Sequence, residues 1–145
     1  MRELPRRLSR AELAELFGGE TPLVERLAEL DDPLGRAREV AAGLPEEEQV
    51  ASLGAHPAIG ASRLSGRSAA EQGDEDDPAV LAELAELNRA YEERFGFRFV
   101  VFVNRRPKAA ILAVLRERID RSTEEELDTA LGELVAIAED RWRRG

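Results

Sequence analysis

The chain has 145 residues, no cysteine and one histidine, and its 30 acidic against 21 basic residues leave a formal net charge of −9. The length suits one domain over residues 1–145 with a single core. The charge argues against a nucleic-acid partner, the missing cysteines exclude disulfides and thiolate chemistry, and the lack of the usual zinc or copper ligands predicts no metal. No stretch approaches the roughly eighteen apolar residues of a membrane span, and no apolar segment follows the basic start MRELPRRLSR to make a secretory signal, so a soluble, cytoplasmic protein is expected.

Leu, Ala, Glu and Arg dominate, and apolar residues recur at three- and four-residue steps. This predicts an all-α fold, a helical bundle of about seven to eight helices with one extended segment near residues 97–103. The first helix starts at Ser9, which has capping-box spacing to Glu12, and ends at Gly18-Gly19. Thr21 and Pro22 open a second that runs toward Asp31-Asp32. Pro33 restarts the pattern, and Pro45 with Glu46, Glu47 and Glu48 opens a helix that Gly54 terminates. Residues 60–78 read as loop around one short turn from Ser68 to Gln72. A longer helix follows from Ala79 to Phe95, with Leu81, Leu84, Asn88, Tyr91 and Phe95 along one stripe. Pro107 opens the next, through Ile119, and Thr123 with Glu126 forms a capping box for the last, which runs to about Trp142.

Four of the five phenylalanines fall in FGFRFVVF, residues 95–102. From Phe95 through Val103 the odd positions are apolar, while Gly96 and Arg98 break the even ones, and that is strand periodicity. A lone extended segment has no ladder partner, so its backbone N–H and C=O groups need side chains, water, a partner chain or a ligand. Either its backbone grips a small polar molecule or it is an aromatic connector that plugs the core.

His56 lies in GAHPAIG, residues 54–60, where Pro57 biases it away from helical φ/ψ. Just past a helix C-terminus the dipole favours imidazolium, which predicts a pKa poised near neutral. The ring is then either an acid/base group or an ordinary histidine with its hydrogen bonds satisfied. Ser68 and Glu71 also have capping-box spacing; a functional role requires Glu71 to face His56 instead, with Gln72 adding amide groups. In the last helix Leu127, Leu131, Leu134, Ala138 and Arg141 follow four-three-four-three steps, which places Arg141 on the apolar seam. There it snorkels, pairs with a buried carboxylate, or faces an anionic ligand. Arg98 and Arg105 flank the aromatic segment and are expected to face solvent.

Taken jointly, AHPAIG, SAAEQ and LNRAYEERFGFRFVV, in this order and spacing, resemble the OHCU decarboxylase family, whose members act on 2-oxo-4-hydroxy-4-carboxy-5-ureidoimidazoline in urate degradation. The likeness is strongest from His56 to Val103 and extends to the GGETPLV turn and the closing helix. It implies a cofactor-free, all-α enzyme that forms S-allantoin, with His56 as the catalytic acid/base. Glu71 would orient the imidazole and disfavour the substrate's ionised carboxylate. The resemblance further implies that Pro57 packs on the substrate ring, that Ser68 and Gln72 bind substrate, and that the backbone of Phe99, Val100, Val101, Phe102 and Val103 contacts its ureido and ring groups. Arg141 looks like the arginine near the end of the family's last helix, and a homodimer is implied. Arg98 stands where many members have proline, which predicts a looser segment there; Ala58 follows the His-Pro pair where many carry a charged residue, and the loop from His56 to Ser68 is short.

Two other classes fit the same residues. A non-catalytic helical module would bind a related ureide or a protein partner without turnover, and a His/Glu hydrolase of another small ring would release no CO₂.

Overall fold

A computed structural model describes residues 4–56 and 78–144. Among them the chain forms seven helices and no strand: α1 (Arg10–Phe17), α2 (Pro22–Leu27), α3 (Pro33–Gly43), α4 (Glu46–Gly54), α5 (Pro78–Phe95), α6 (Lys108–Arg118) and α7 (Thr123–Arg144). The three- and four-residue periodicity therefore has the all-α outcome that it predicts.

Most helix starts follow the local chemistry. Ser9 Oγ accepts from Glu12 N–H at 3.1 Å while Ser9 N–H donates to Glu12 Oε1 at 3.0 Å, so both halves of the capping box form. Thr21 Oγ1 accepts from Val24 N–H at 3.2 Å, with Pro22 in the first turn where no donor is lost. Two boundaries differ from the sequence-based expectation. Helix α2 stops at Leu27, short of Asp31-Asp32, because Glu29 and Leu30 donate to the carbonyls three residues back and tighten the chain into turns. The capping box of α7 is Ser122 with Glu125, not Thr123 with Glu126: Ser122 Oγ accepts from Glu125 N–H and Ser122 N–H donates to Glu125 Oε1, both at 3.2 Å. Glu126 is drawn instead into a buried network described below.

The longest helix organises the core. Leu127, Leu131, Leu134 and Ala138 of α7 are all buried, as their spacing predicts, and α7 packs against α1, α3 and α4. Helix α2 fills the space between α1, α3 and α4, while α5 pairs with α6. Two buried polar side chains brace this arrangement. Gln49 donates to the Ala41 carbonyl at the end of α3 at 2.9 Å, and Ser52 Oγ accepts from Leu23 N–H at the start of α2 at 3.3 Å. Ser52 thereby satisfies a helix-start N–H that has no partner within the helix, and Gln49 adds a second donor to a carbonyl that also accepts from Leu44 N–H at 3.2 Å. On the other side, the Tyr91, Phe95, Phe97 and Phe99 rings form one cluster, with Tyr91 4.6 Å from Phe95 and 5.2 Å edge-on from Phe99. That cluster fastens the extended segment to α5. No helix among the described residues is long and apolar enough to cross a membrane.

Candidate active site

Helix α4 delivers His56. Three glutamates occupy its first turn, which complements the positive end of the dipole, and its last turn closes where His56 N–H donates to the Leu53 carbonyl at 3.2 Å. The end of α1 packs directly onto this turn. Gly18 takes φ 91°, and a Cβ there would stand only 3.1 Å from the Ala55 carbonyl oxygen and 3.6 Å from His56 Cα. Glycine is thus required both for the left-handed turn and for the close approach. The imidazole that results is 5% exposed, and its Nδ1 has no hydrogen-bond partner among the described residues.

Electrostatics oppose the neutral-pH poise expected from the helix terminus. Burial, reinforced by the positive charges of Arg141 and then Arg98, lowers the His56 pKa from 6.5 to about 4. Desolvation and two guanidinium groups outweigh a screened half-charge at a helix end. The ring is therefore neutral at pH 7 and available as a base. Because the folded value lies below the unfolded one, the unfolded chain binds the extra proton, and stability is full above about 6.5 and falls as pH drops toward 4. The gap is worth about 3 kcal/mol. Urea unfolding of wild type and His56→Asn at pH 7 and pH 4 should show wild type losing about that much more, since the carboxylates titrate alike in both.

The extended segment continues from the aromatic cluster. Phe97, Phe99, Val101 and Val103 are buried and Gly96 is exposed, which matches the alternation in the sequence, though Val100 is buried as well. With no ladder among the described residues, side chains take up its carbonyls. Arg118 Nη1 donates to the Val100 carbonyl at 2.8 Å, Arg106 Nη2 to that of Phe102 at 2.6 Å and Arg106 Nε to that of Val103 at 3.1 Å. Glu133 Oε1 accepts from Phe102 N–H at 3.4 Å. The segment ends in a tight turn in which Arg106 N–H donates to the Val103 carbonyl and Asn104 and Arg105 both take positive φ, 49° and 63°. Arg118 is itself held. It is 4% exposed, lies 4.6 Å over the Phe99 ring and donates through Nε to Glu126 Oε1 at 2.8 Å. Glu126, fully buried, also accepts from the Tyr91 hydroxyl at 2.6 Å and from Arg121 at 3.2 Å. Burial and then the Glu126 carboxylate raise the Tyr91 pKa, so the phenol keeps its proton and donates.

Arg141, 4% exposed, reaches from α7 to the end of α1, where Nη1 donates to the Leu16 carbonyl at 3.0 Å. The seam position therefore places a cation over orphan helix-end carbonyls and close enough to bear on His56. Arg98 corrects two expectations. It is half-buried rather than solvent-facing, and it fastens the segment rather than loosening it: Nη1 donates to the His56 carbonyl at 2.6 Å and Nε to Glu92 Oε1 at 3.1 Å.

The structure thus brings together His56, Arg98 and Arg141, and the segment containing Phe99, Val100, Val101, Phe102 and Val103 is tied to them through Arg98. Pro57, Ser68, Glu71 and Gln72 lie outside the described residues. Among the described residues no cluster of His, Cys, Asp or Glu side chains is arranged to hold a metal. Sequence reasoning missed Arg118 and Glu126, although Arg118 carries the signal that marks Arg141: Ile111, Leu115 and Arg118 follow a four-three step and all are buried.

Comparison with known proteins adds four findings. A family model described as OHCU decarboxylase matches residues 2–143. The chain is 37% identical over 116 residues to the 2-oxo-4-hydroxy-4-carboxy-5-ureidoimidazoline decarboxylase of Haloferax volcanii, taking in 77% of this chain and 67% of that protein. It is 34% identical over 103 residues to the Uric acid degradation bifunctional protein TTL of Arabidopsis thaliana, taking in 64% of this chain and 32% of that one. The matched part thus spans about two thirds or less of the length of these relatives. A crystal structure of OHCU decarboxylase in the presence of (S)-allantoin shares the fold, with a TM-score of 0.75 at 24% identity over 90% of this chain and 94% of that one.

Proposed function

The chain belongs to the OHCU decarboxylase family, and from that membership we propose that it removes CO₂ from 2-oxo-4-hydroxy-4-carboxy-5-ureidoimidazoline to leave (S)-allantoin in urate degradation. The observation that carries this reading at the level of the residues is His56: a buried imidazole, neutral at pH 7, whose Nδ1 has no partner among the described residues and on which two arginine charges bear.

The chemistry suits that environment. The departing carboxylate is attached to a carbon beside a C=N group, so when the C–C bond breaks its electron pair forms a new C=C bond and the imine electrons take up a proton at nitrogen. No metal or pyridoxal sink is needed. The enol left behind then loses its hydroxyl proton and gains one at the neighbouring carbon, which gives allantoin. His56 takes the hydroxyl proton, a task that requires the neutral ring, and Glu71 orients it. The Arg141 charge offsets the substrate's negative charge. Ser68, Gln72 and the backbone of residues 99–103 hold the ureido and ring groups, with Pro57 against the ring. Delivery of the last proton to one face sets the handedness. The family pattern further suggests a homodimer that works in the cytoplasm.

The test couples purified protein to urate oxidase and hydroxyisourate hydrolase and follows circular dichroism together with CO₂. One CO₂ for each optically active allantoin, formed faster than in the uncatalysed blank, is the expected result. Ring opening without CO₂ would indicate a hydrolase, and binding without turnover a non-catalytic module.

A further inference from the structure

We propose that Arg98 is a positioning residue, one that locks the backbone of His56 to the start of the extended segment so that the imidazole and the substrate-binding backbone hold a fixed mutual geometry. The inference rests on His56 being the reacting group and goes beyond it by assigning a role to a residue that does not touch the reaction.

Three observations carry it. First, the His56 carbonyl sits just past the end of α4, where helix-end carbonyls have no partner within the helix, and Arg98 Nη1 reaches it at 2.6 Å from 42 positions along the chain. His56 is thereby held on both sides of its Cα, by Leu53 through its N–H and by Arg98 through its C=O. Second, the arginine is itself aimed. Glu92 on α5 accepts from Nε at 3.1 Å, so the planar guanidinium spans two anchors on different elements. Third, a cavity of about 300 Å³ bounded by Val50, Gly54, Glu92, Gly96, Phe97 and Arg98 opens beside the clamp. A shorter side chain there admits water to the carbonyl in place of the fixed donor, and the turn is released without opening the core.

Among the described residues the charged groups that bear on the His56 ring are Arg141, from α7, and Arg98, from the segment. Loss of Arg98 therefore has an electrostatic signature as well as a geometric one. Misplacement of a reacting group by about 1 Å is enough to cost about 10²-fold in rate.

The chain's single histidine makes the test direct, because the imidazole C–H resonances in a ¹H–¹³C spectrum belong to His56 alone. In Arg98→Met the titration midpoint of those resonances is expected to rise, the ring signals to move or double, and kcat to fall about 10–100-fold with KM changed far less. Arg98→Lys keeps the charge but cannot span both anchors, so it should hold the midpoint near that of wild type and still lose kcat. It also serves if the methionine variant does not fold. Ring signals and midpoint identical to wild type in Arg98→Met, or wild-type kcat in Arg98→Lys, would overturn the proposal. The spectroscopic arm needs no turnover: a wild-type protein that releases no CO₂ would sink the decarboxylase reading, while the titration would still report whether Arg98 holds the ring.

Discussion

Glu126→Ala is expected to destabilise the protein by about 3–5 kcal/mol, the range seen when one partner of a buried ion pair is removed. Glu126 is fully buried and meets three donors: Arg118 at 2.8 Å, the Tyr91 hydroxyl at 2.6 Å and Arg121 at 3.2 Å. Alanine leaves the Arg118 guanidinium in the core with its charge uncompensated, where Nη2 already lacks a partner among the described residues. It also strands a buried phenol. Tyr91→Phe removes only one hydrogen bond from the same cluster, one to a charged acceptor, and should cost about 1.5–3 kcal/mol. Exposed pairs such as Arg36 with Glu39 should contribute well under 1 kcal/mol. Urea unfolding at neutral pH checks the order. A loss below 1 kcal/mol for Glu126→Ala would mean that the network does not hold the core together. Because Arg118 also carries the Val100 carbonyl, this variant should slacken the extended segment before it unfolds the bundle.

His56→Asn is expected to lower kcat by about 10²–10⁴-fold, the usual contribution of a positioned acid/base group, which corresponds to about 3–5 kcal/mol of transition-state stabilisation. Asparagine nearly preserves size and polarity but cannot accept and return a proton. The substrate contacts proposed for the segment and for Arg141 survive the change, so KM should move much less than kcat. A purely structural histidine predicts the reverse pattern, with altered stability and an intact rate. Steady-state kinetics on folded protein separate the two.

Much of this architecture is legible in the residues because it depends on local rules. Ser9 with Glu12, Thr21 with Pro22 and the apolar stripe of α5 act within one or two helical turns, so their spacing alone locates the elements. The lone extended segment is legible too, as is its need for partners outside a ladder. What fails depends on distance. Thr123 with Glu126 and Ser122 with Glu125 have the same spacing, and only the arrival of Arg118 and Tyr91 from other helices decides which glutamate caps and which is buried. The helix-end position of His56 suggests a raised pKa, yet the burial and the two arginines that lower it come from the packing of the whole bundle. Arg98, flanking an aromatic run, looks like a surface residue until α4 places the His56 carbonyl beside it.

The rate of CO₂ release from the ureidoimidazoline substrate, measured side by side for wild type and His56→Asn at neutral pH, bears most directly on the central claim. Decarboxylation through a neutral buried imidazole predicts that release by wild type scales with protein concentration and drops by at least about 10²-fold in the variant while its circular dichroism stays helical. Equal rates in the two proteins, or a wild-type rate no faster than the uncatalysed blank, would contradict it.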